Sequence, residues 1–291
     1  MEEAIEICKL RLFLKLVAQV ERVEKIEPLP DIDFNIRSGN TLIGFATYDE
    51  IRKTVTGKLD FDNTMDRIEE KVQDIEQLSD LFRQQQTELG GEVTPADKKA
   101  LNDRLKKLGD ELNQYLAGDY GINREAIPNK EIYAKRFAGW QKSHQPFHWY
   151  SEFHGILNQG GFDVIVGNPP YVEYSKVKDE YTIRGYETES CGNLYAFMME
   201  RSIHLNQSKG RFGMIIPVSM VSGDKFIALA QLFFTRHSWT SFYSNRPGKL
   251  FHGVEQRLTI ALAENILVYC VRYSLTSISD GKNIYSVGFQ M

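Results

Sequence analysis

The sequence predicts an α/β fold, a doubly wound sheet interrupted by a helical hairpin. Three observations carry this. Short β-branched runs bounded by glycine or proline alternate with helix-period segments in the second half of the chain. A Gln-, Glu-, Lys- and Leu-rich stretch in the first half carries two separate apolar stripes at helical spacing. The 291 residues are 42% hydrophobic and 25% charged, an ordinary balance for a chain with a sizeable core.

Along the chain, residues 4–23 read as an amphipathic helix. Ile5, Cys8, Leu12 and Leu16 fall at helical spacing, and Ile7, Leu10 and Leu14 widen the apolar face. Pro28 and Pro30 break the pattern. A short strand is expected around Phe34-Asn35-Ile36, then a turn at Ser38-Gly39-Asn40-Thr41. Residues 64–118 read as an inserted antiparallel hairpin. Ile68, Val72, Ile75, Leu78 and Phe82 form one stripe, and Leu101, Leu105, Leu108 and Leu112 the other. Gly90-Gly91 and Thr94-Pro95 separate them, and Pro95 suits a helix start. A short helix ending near Leu157 follows Phe147-His148-Trp149-Tyr150.

Asp163-Val164-Ile165-Val166, between Gly161 and Gly167, reads as a buried parallel strand. Residues 193–206 read as a helix, residues 212–216 as a strand closed by Pro217, and residues 225–236 as a helix. Residues 240–243, 258–263 and 266–273 are strand candidates. The expected organisation is a core at residues 1–63, the hairpin at 64–118, a second core part at 119–273 and a truncated tail at 274–291.

Composition excludes several classes. No apolar run reaches the roughly 18 residues of a membrane span. The acidic start Met1-Glu2-Glu3 is unlike a signal peptide. Three scattered cysteines, Cys8, Cys191 and Cys270, offer neither a disulfide framework nor metal-ligand spacing. A reduced, cytoplasmic protein without a metal centre is expected. Residues 1–119 carry a charge balance of −8 and residues 120–291 one of +4, so a polyanion is better suited to the second part.

Chemistry concentrates where the predicted strand runs into Asn168-Pro169-Pro170-Tyr171. In open α/β sheets ligands bind at the carboxyl ends of strands. Two consecutive prolines donate no N–H. The Asn168 side-chain oxygen and the Pro169 carbonyl can both accept from one –NH₂ group. An exocyclic aromatic amine is a poor nucleophile because its lone pair is delocalised. Two acceptors on its N–H bonds favour a pyramidal nitrogen and aim that lone pair at an electrophile. Tyr171 offers a flat face for stacking. No general base of tuned pKa is needed, since the amine becomes acidic once alkylated.

Asn168-Pro169-Pro170-Tyr171 resembles the catalytic motif of amino-methyltransferases that use S-adenosylmethionine. Three further stretches resemble the gamma class of adenine-specific DNA methyltransferases: Asn193-Leu194-Tyr195, Lys209 to Pro217, and Lys249-Leu250-Phe251-His252-Gly253-Val254. Residues 3–12, Ile36 to Ile43, and Phe147-His148-Trp149 resemble type IIG restriction–modification and phage-defence enzymes. The resemblance implies an incomplete Rossmann-like sheet. It also implies methyl transfer from S-adenosylmethionine to N6 of a flipped adenine in double-stranded DNA. Asn168 and Pro169 would hold the amine, Tyr171 would stack on the ring, and Asn40 would contact the donor's adenine. Asp163 is expected to be structural.

In that family a glycine-rich donor loop and an acidic ribose-binding residue precede the helix that opens this chain. The donor site is therefore expected to be incomplete, and a missing N-terminal fragment or partner subunit is an expected partner. Two other readings stay open: a non-catalytic remnant or partner-dependent subunit, and a protein-glutamine N5 methyltransferase, which uses the same tetrapeptide on an amide nitrogen.

Overall fold

The computed structural model describes residues 2–20, 35–55, 61–87, 95–243, 251, 256–267, 272–279 and 283–290. The chain divides into two units, Met1–His154 and Gly155–Met291. Among the described residues, no helix is long and apolar enough to cross a membrane.

The first unit is helical: α1 (Glu2–Val17), α2 (Tyr48–Val55), α3 (Phe61–Thr87), α4 (Pro95–Asp119), α5 (Lys130–His144), α6 (Trp149–Glu152) and the first residue of α7 (His154–Asn158). The expected opening helix ends at Val17, earlier than its apolar pattern implied. Its broad apolar face is exposed at Ile7, Leu10, Phe13 and Leu14. Of the strand expected at residues 34–36, Phe34 lies outside the described residues, and Asn35 and Ile36 form a turn and bend.

The hairpin forms as the stripes require. Ile68, Val72 and Ile75 of α3 are buried, as are Leu101, Leu105, Leu108 and Leu112 of α4. Charges frame the seam: Arg67 and Lys71 both pair with Glu111, at 2.7 and 2.5 Å, and Arg104 pairs with Asp74 at 2.5 Å. Pro95 opens α4, where a missing N–H costs nothing. The phenyl ring of Phe82 and the Gly90-Gly91 turn lie outside the described features.

Segment 40–46, which holds Asn40, is fixed by residues a hundred positions away. The Asn40 N–H donates to the Gln145 carbonyl at 2.7 Å, that of Phe147 to the Ile43 carbonyl at 2.7 Å, and that of Tyr150 to the Phe45 carbonyl at 3.0 Å. Trp149 Nε1–H donates to the Thr41 carbonyl at 3.0 Å. Gly44, at φ +139°, permits this approach, because an added Cβ would lie 2.1 Å from the Phe147 carbonyl oxygen.

His148 locks the same segment to the hairpin. The Phe45 N–H donates to His148 Nδ1 at 3.1 Å, so Nδ1 is unprotonated. The proton then sits on Nε2, which donates to Asn113 Oδ1 of α4 at 3.0 Å. The ring stacks on Phe45 with centroids 5.2 Å apart. Complete burial pushes the His148 pKa down to about 3.

The second unit is built on a sheet: β1 (Phe162–Gly167), α8 (Leu194–Leu205), β2 (Asn206–Pro217), α9 (Ser219–Ser222), α10 (Ile227–Phe234), β3 (Arg236–Tyr243), β4 (Leu258–Leu267), β5 (Arg272–Ser279) and β6 (Asn283–Gln290). The strand order is β1-β2-β4-β3-β6-β5. β1 and β2 run parallel and every other pairing is antiparallel. Mixed α/β architecture is thus observed.

Several expectations change here. β1 lies at the sheet edge, with Val164 61% and Val166 77% exposed, so it is not a buried strand. Its apolar run does bury one face: Ile165 packs on the core. Residues 258–263 and 266–267 form one strand, since Glu264 continues the ladder and the register with β3 only shifts across Asn265 and Ile266; residues 268–271 lie outside the described residues. The helix expected at 225–236 starts at Ile227, after a 3₁₀ turn at Asp224–Phe226, and yields to β3 at Arg236. Residues 274–291, expected as a truncated tail, contribute most of β5 and all of β6.

One face of this sheet is covered by α8, α9 and α10. Tyr195, Met199, Ile203, Met220, Leu229 and Phe233 pack there on Phe212, Met214, Ile216, Ala261 and Ala263. The opposite face exposes Val166, Leu262 and Trp239, which share a row across four strands through Gly213.

Two outcomes test the first unit. Unfolded His148 titrates near 6.5 and the folded residue near 3, so the unfolded chain binds more protons between these values. Stability should fall as pH drops from about 6.5 towards 3, by up to about 1.4 kcal/mol per pH unit from this group. His148→Gln should flatten that slope in urea titrations; equal slopes would refute a neutral, buried imidazole. Gly44→Ala should cost on the order of 3 kcal/mol by the same measurement.

Candidate active site

The tetrapeptide sits where the parallel ladder stops. The last β1–β2 rung pairs Gly167 with Met214. Pro169 and Pro170 have no N–H to extend it. Beyond the rung, the Ile215 carbonyl accepts the Tyr171 hydroxyl at 2.7 Å. The same hydroxyl stands 2.7 Å from Asn168 Oδ1. Asn168 and Tyr171 are therefore brought together. Asn168 and Pro170 are exposed, Pro169 is buried, and Tyr171 is half-buried against the core beneath the sheet. Burial pushes the Tyr171 phenol above its ordinary value.

The chain after Tyr171 is tied to the start of α8. The Leu194 N–H donates to the Val172 carbonyl at 2.9 Å, and the Tyr174 N–H to the Gly192 carbonyl at 2.9 Å. The Asn193 side chain accepts the Tyr195 N–H and caps α8. Tyr195 is wholly buried, bonded to Ser219 Oγ at 2.9 Å and stacked on Phe226 at 5.2 Å. Burial raises its phenol well above the ordinary range. Asn193-Leu194-Tyr195 thus secures the site from behind.

Asp163 accepts a hydrogen bond from the Gln207 amide of β2, a structural role at the start of β1. Gly161, at φ +117°, lets that start approach closely; an added Cβ would lie 2.5 Å from the Leu205 carbonyl oxygen. Of the stretch 249–254, only Phe251 is among the described residues.

Asn40 belongs to the first unit. Its Oδ1 accepts the Leu42 N–H at 3.2 Å, closing a local turn. Two residues before it, Ser38 lines a cavity of about 370 Å³ together with Ile36, Arg37, Phe147 and Glu152. Arg37 Nε lies 3.0 Å from Glu152 Oε2. Burial raises the Glu152 carboxyl above its usual range, against the pull of Arg37. Ile5, Glu6, Lys9 and Asn102 complete the cavity's lining. No group of three or more His, Cys, Asp or Glu suited to a metal occurs among the described residues.

Two features had no signal within the tetrapeptide itself. The Ile215 carbonyl enters through register between β1 and β2. The His148–Asn113 bond links segments 35 residues apart and shows in the sequence only as a polar pair among apolar neighbours.

The chain is 26% identical over 266 residues to a protein of Methanocaldococcus jannaschii named as a type II restriction enzyme and methyltransferase, RM.MjaORFECS2P. The alignment covers 80% of this chain and 22% of that relative, so the chain spans about a fifth of its length. The family described as Eco57I restriction-modification methylase matches residues 1–251, a stretch that holds both the Asn40 segment and the tetrapeptide closing β1, and the chain belongs to that family.

Proposed function

We propose that this chain carries the amine-activating part of an adenine-N6 DNA methyltransferase of a restriction–modification system. The observation that carries the reading is the end of β1, where an exposed Asn168 and a Tyr171 anchored to β2 follow the last parallel rung. Family membership supports methyl transfer in general. The adenine, the N6 position and the double-stranded DNA come from the tetrapeptide's chemistry and its resemblance.

On this reading S-adenosylmethionine, when bound, supplies an electrophilic methyl group. Asn40 would contact its adenine, as the resemblance implies. Asn168 Oδ1 and the Pro169 carbonyl accept the two N–H bonds of a flipped adenine's amino group. The amine gains pyramidal character and its lone pair becomes available. Tyr171 supplies the stacking face and excludes water from that side of the ring. No side chain removes a proton before transfer; the alkylated amine loses one afterwards to water. A partner chain or further segment completing the donor site belongs to the same proposal.

The test is methyl transfer by the chain from S-adenosylmethionine to duplex DNA and, separately, to a glutamine-containing peptide, with calorimetric titration of the donor alongside. N6-methyladenine in the DNA supports the reading. A methylated glutamine or cytosine would overturn it. In the assembly where the unsubstituted chain is active, Asn168→Ala should cut kcat by about 100-fold or more, since the acceptor acts on the transition state. Full turnover by that variant would sink the assignment. Tyr171→Ala should weaken base binding by about 1–3 kcal/mol, read as the DNA concentration at half-saturation.

A further inference from the structure

The Tyr171 hydroxyl has one proton and two oxygens at 2.7 Å, Asn168 Oδ1 and the Ile215 carbonyl. The two are unequal partners. The Ile215 carbonyl is part of β2, held in register by Ile260 of β4. The Tyr171 ring is packed against the core cluster. The hydroxyl oxygen is therefore placed by the sheet and the core. Asn168 is exposed, follows the last rung of β1 and precedes two prolines. An exposed amide samples several rotamers unless a neighbour holds it. The Tyr171 hydroxyl is a neighbour that holds it.

We propose that Tyr171 is a positioning residue as well as a stacking face: its hydroxyl clamps the Asn168 amide to β2 and directs Oδ1 towards an incoming exocyclic amine. This rests on the methyl-transfer reading of the site. An amide oxygen has two lone pairs. One takes the hydroxyl, and the other remains for an N–H of the amine. The proton alternates between Ile215 and Asn168 without leaving Tyr171, so the clamp neither consumes nor releases a proton. A phenol is protonated across the neutral range, and burial moves the ionisation of Tyr171 further towards alkaline pH.

Ring and hydroxyl separate experimentally, because Tyr171→Phe keeps the face and deletes the clamp. The Asn168 side-chain amide is followed by ¹⁵N NMR in the 291-residue chain. In the unsubstituted protein it should be rigid, and its shift should move in one step at alkaline pH as Tyr171 ionises. In Tyr171→Phe the step should vanish and the order parameter should drop below about 0.6, while the β2 amides keep their positions. An Asn168 amide with the same order and the same pH response in both proteins would overturn the clamp. Should Tyr171→Phe disturb the fold, 3-fluorotyrosine at position 171 keeps the hydroxyl and lowers its pKa. The Asn168 step should then move to lower pH; an unmoved step overturns the proposal. In the active assembly, Tyr171→Phe should lower kcat roughly threefold to tenfold with the KM for DNA unchanged, and an unchanged kcat counts against the clamp. Absence of any transfer to DNA by an assembly that binds S-adenosylmethionine would strike the methyltransferase reading and leave the NMR result to decide the clamp.

Discussion

The second unit depends on where one parallel ladder is made to stop. From Val164 to Gly167, β1 gains rungs against residues 211–214 of β2. After Asn168 two prolines withdraw two N–H groups in succession, and the ladder cannot extend through them. A tyrosine hydroxyl reaches back to the first carbonyl beyond the last rung. The turn is thereby fixed to the sheet by a side chain. A chain that merely frayed at this point would offer the same groups without a fixed direction. Direction is what an amine-activating site requires.

Fixing that turn requires the neighbouring helix to be immobile, and its burial supplies this. Ten of the twelve residues of α8 are buried, including Glu200 and Arg201. The buried charges are partnered. Glu200 accepts from the N–H groups of Glu187 and Thr188 and from the Thr188 hydroxyl. Arg201 donates to the Tyr186 hydroxyl at 2.8 Å. A buried carboxylate with three donors is tolerated where a bare one is not. These bonds join the 3₁₀ turn at Glu187–Cys191 to α8, and the Asn193 cap and the Val172–Leu194 bond join α8 to the tetrapeptide.

Much of this was legible in the sequence because it is local. The two leucine stripes, Pro95 at a helix start, a helix opening at residue 193 and the strand before Asn168 all follow from short-range pattern. What failed is what pattern cannot carry. A continuous β-branched run such as Asp163–Val166 looks the same at a sheet's centre and at its edge, because the neighbour that decides is far away in the chain. Glu264 looked like a break between strands, yet a charged residue can stay in a ladder when a partner faces it, and His237 Nδ1 lies 3.3 Å from its carboxylate. Residues 274–291 looked like a tail. They needed only to pair with β3 to become part of the same sheet. In the candidate site, the four residues of the tetrapeptide were readable, whereas the oxygen that anchors the fourth was set by β1–β2 register.

The distribution of displaced pKa values bears on the chemistry. Perturbed groups commonly mark catalytic centres, because acid–base catalysis needs a group tuned to the working pH. Here the largest displacements belong to packing. His148 falls to about 3, Tyr150 rises to about 12 and Tyr195 rises further, each chiefly because burial penalises its charged form. These shifts move each group away from working pH, the opposite of a tuned acid or base. The tetrapeptide instead presents an amide, carbonyl groups and a phenol whose ionisation burial moves further from working pH. Such a set orients hydrogen-bond donors and moves no proton. A reaction suited to it has a nucleophile that needs aiming more than deprotonation and an electrophile that arrives already activated. Transfer of a sulfonium-bound methyl group to an exocyclic amine meets both conditions, since the positive charge resides on the donor and the proton departs only after the new bond has formed.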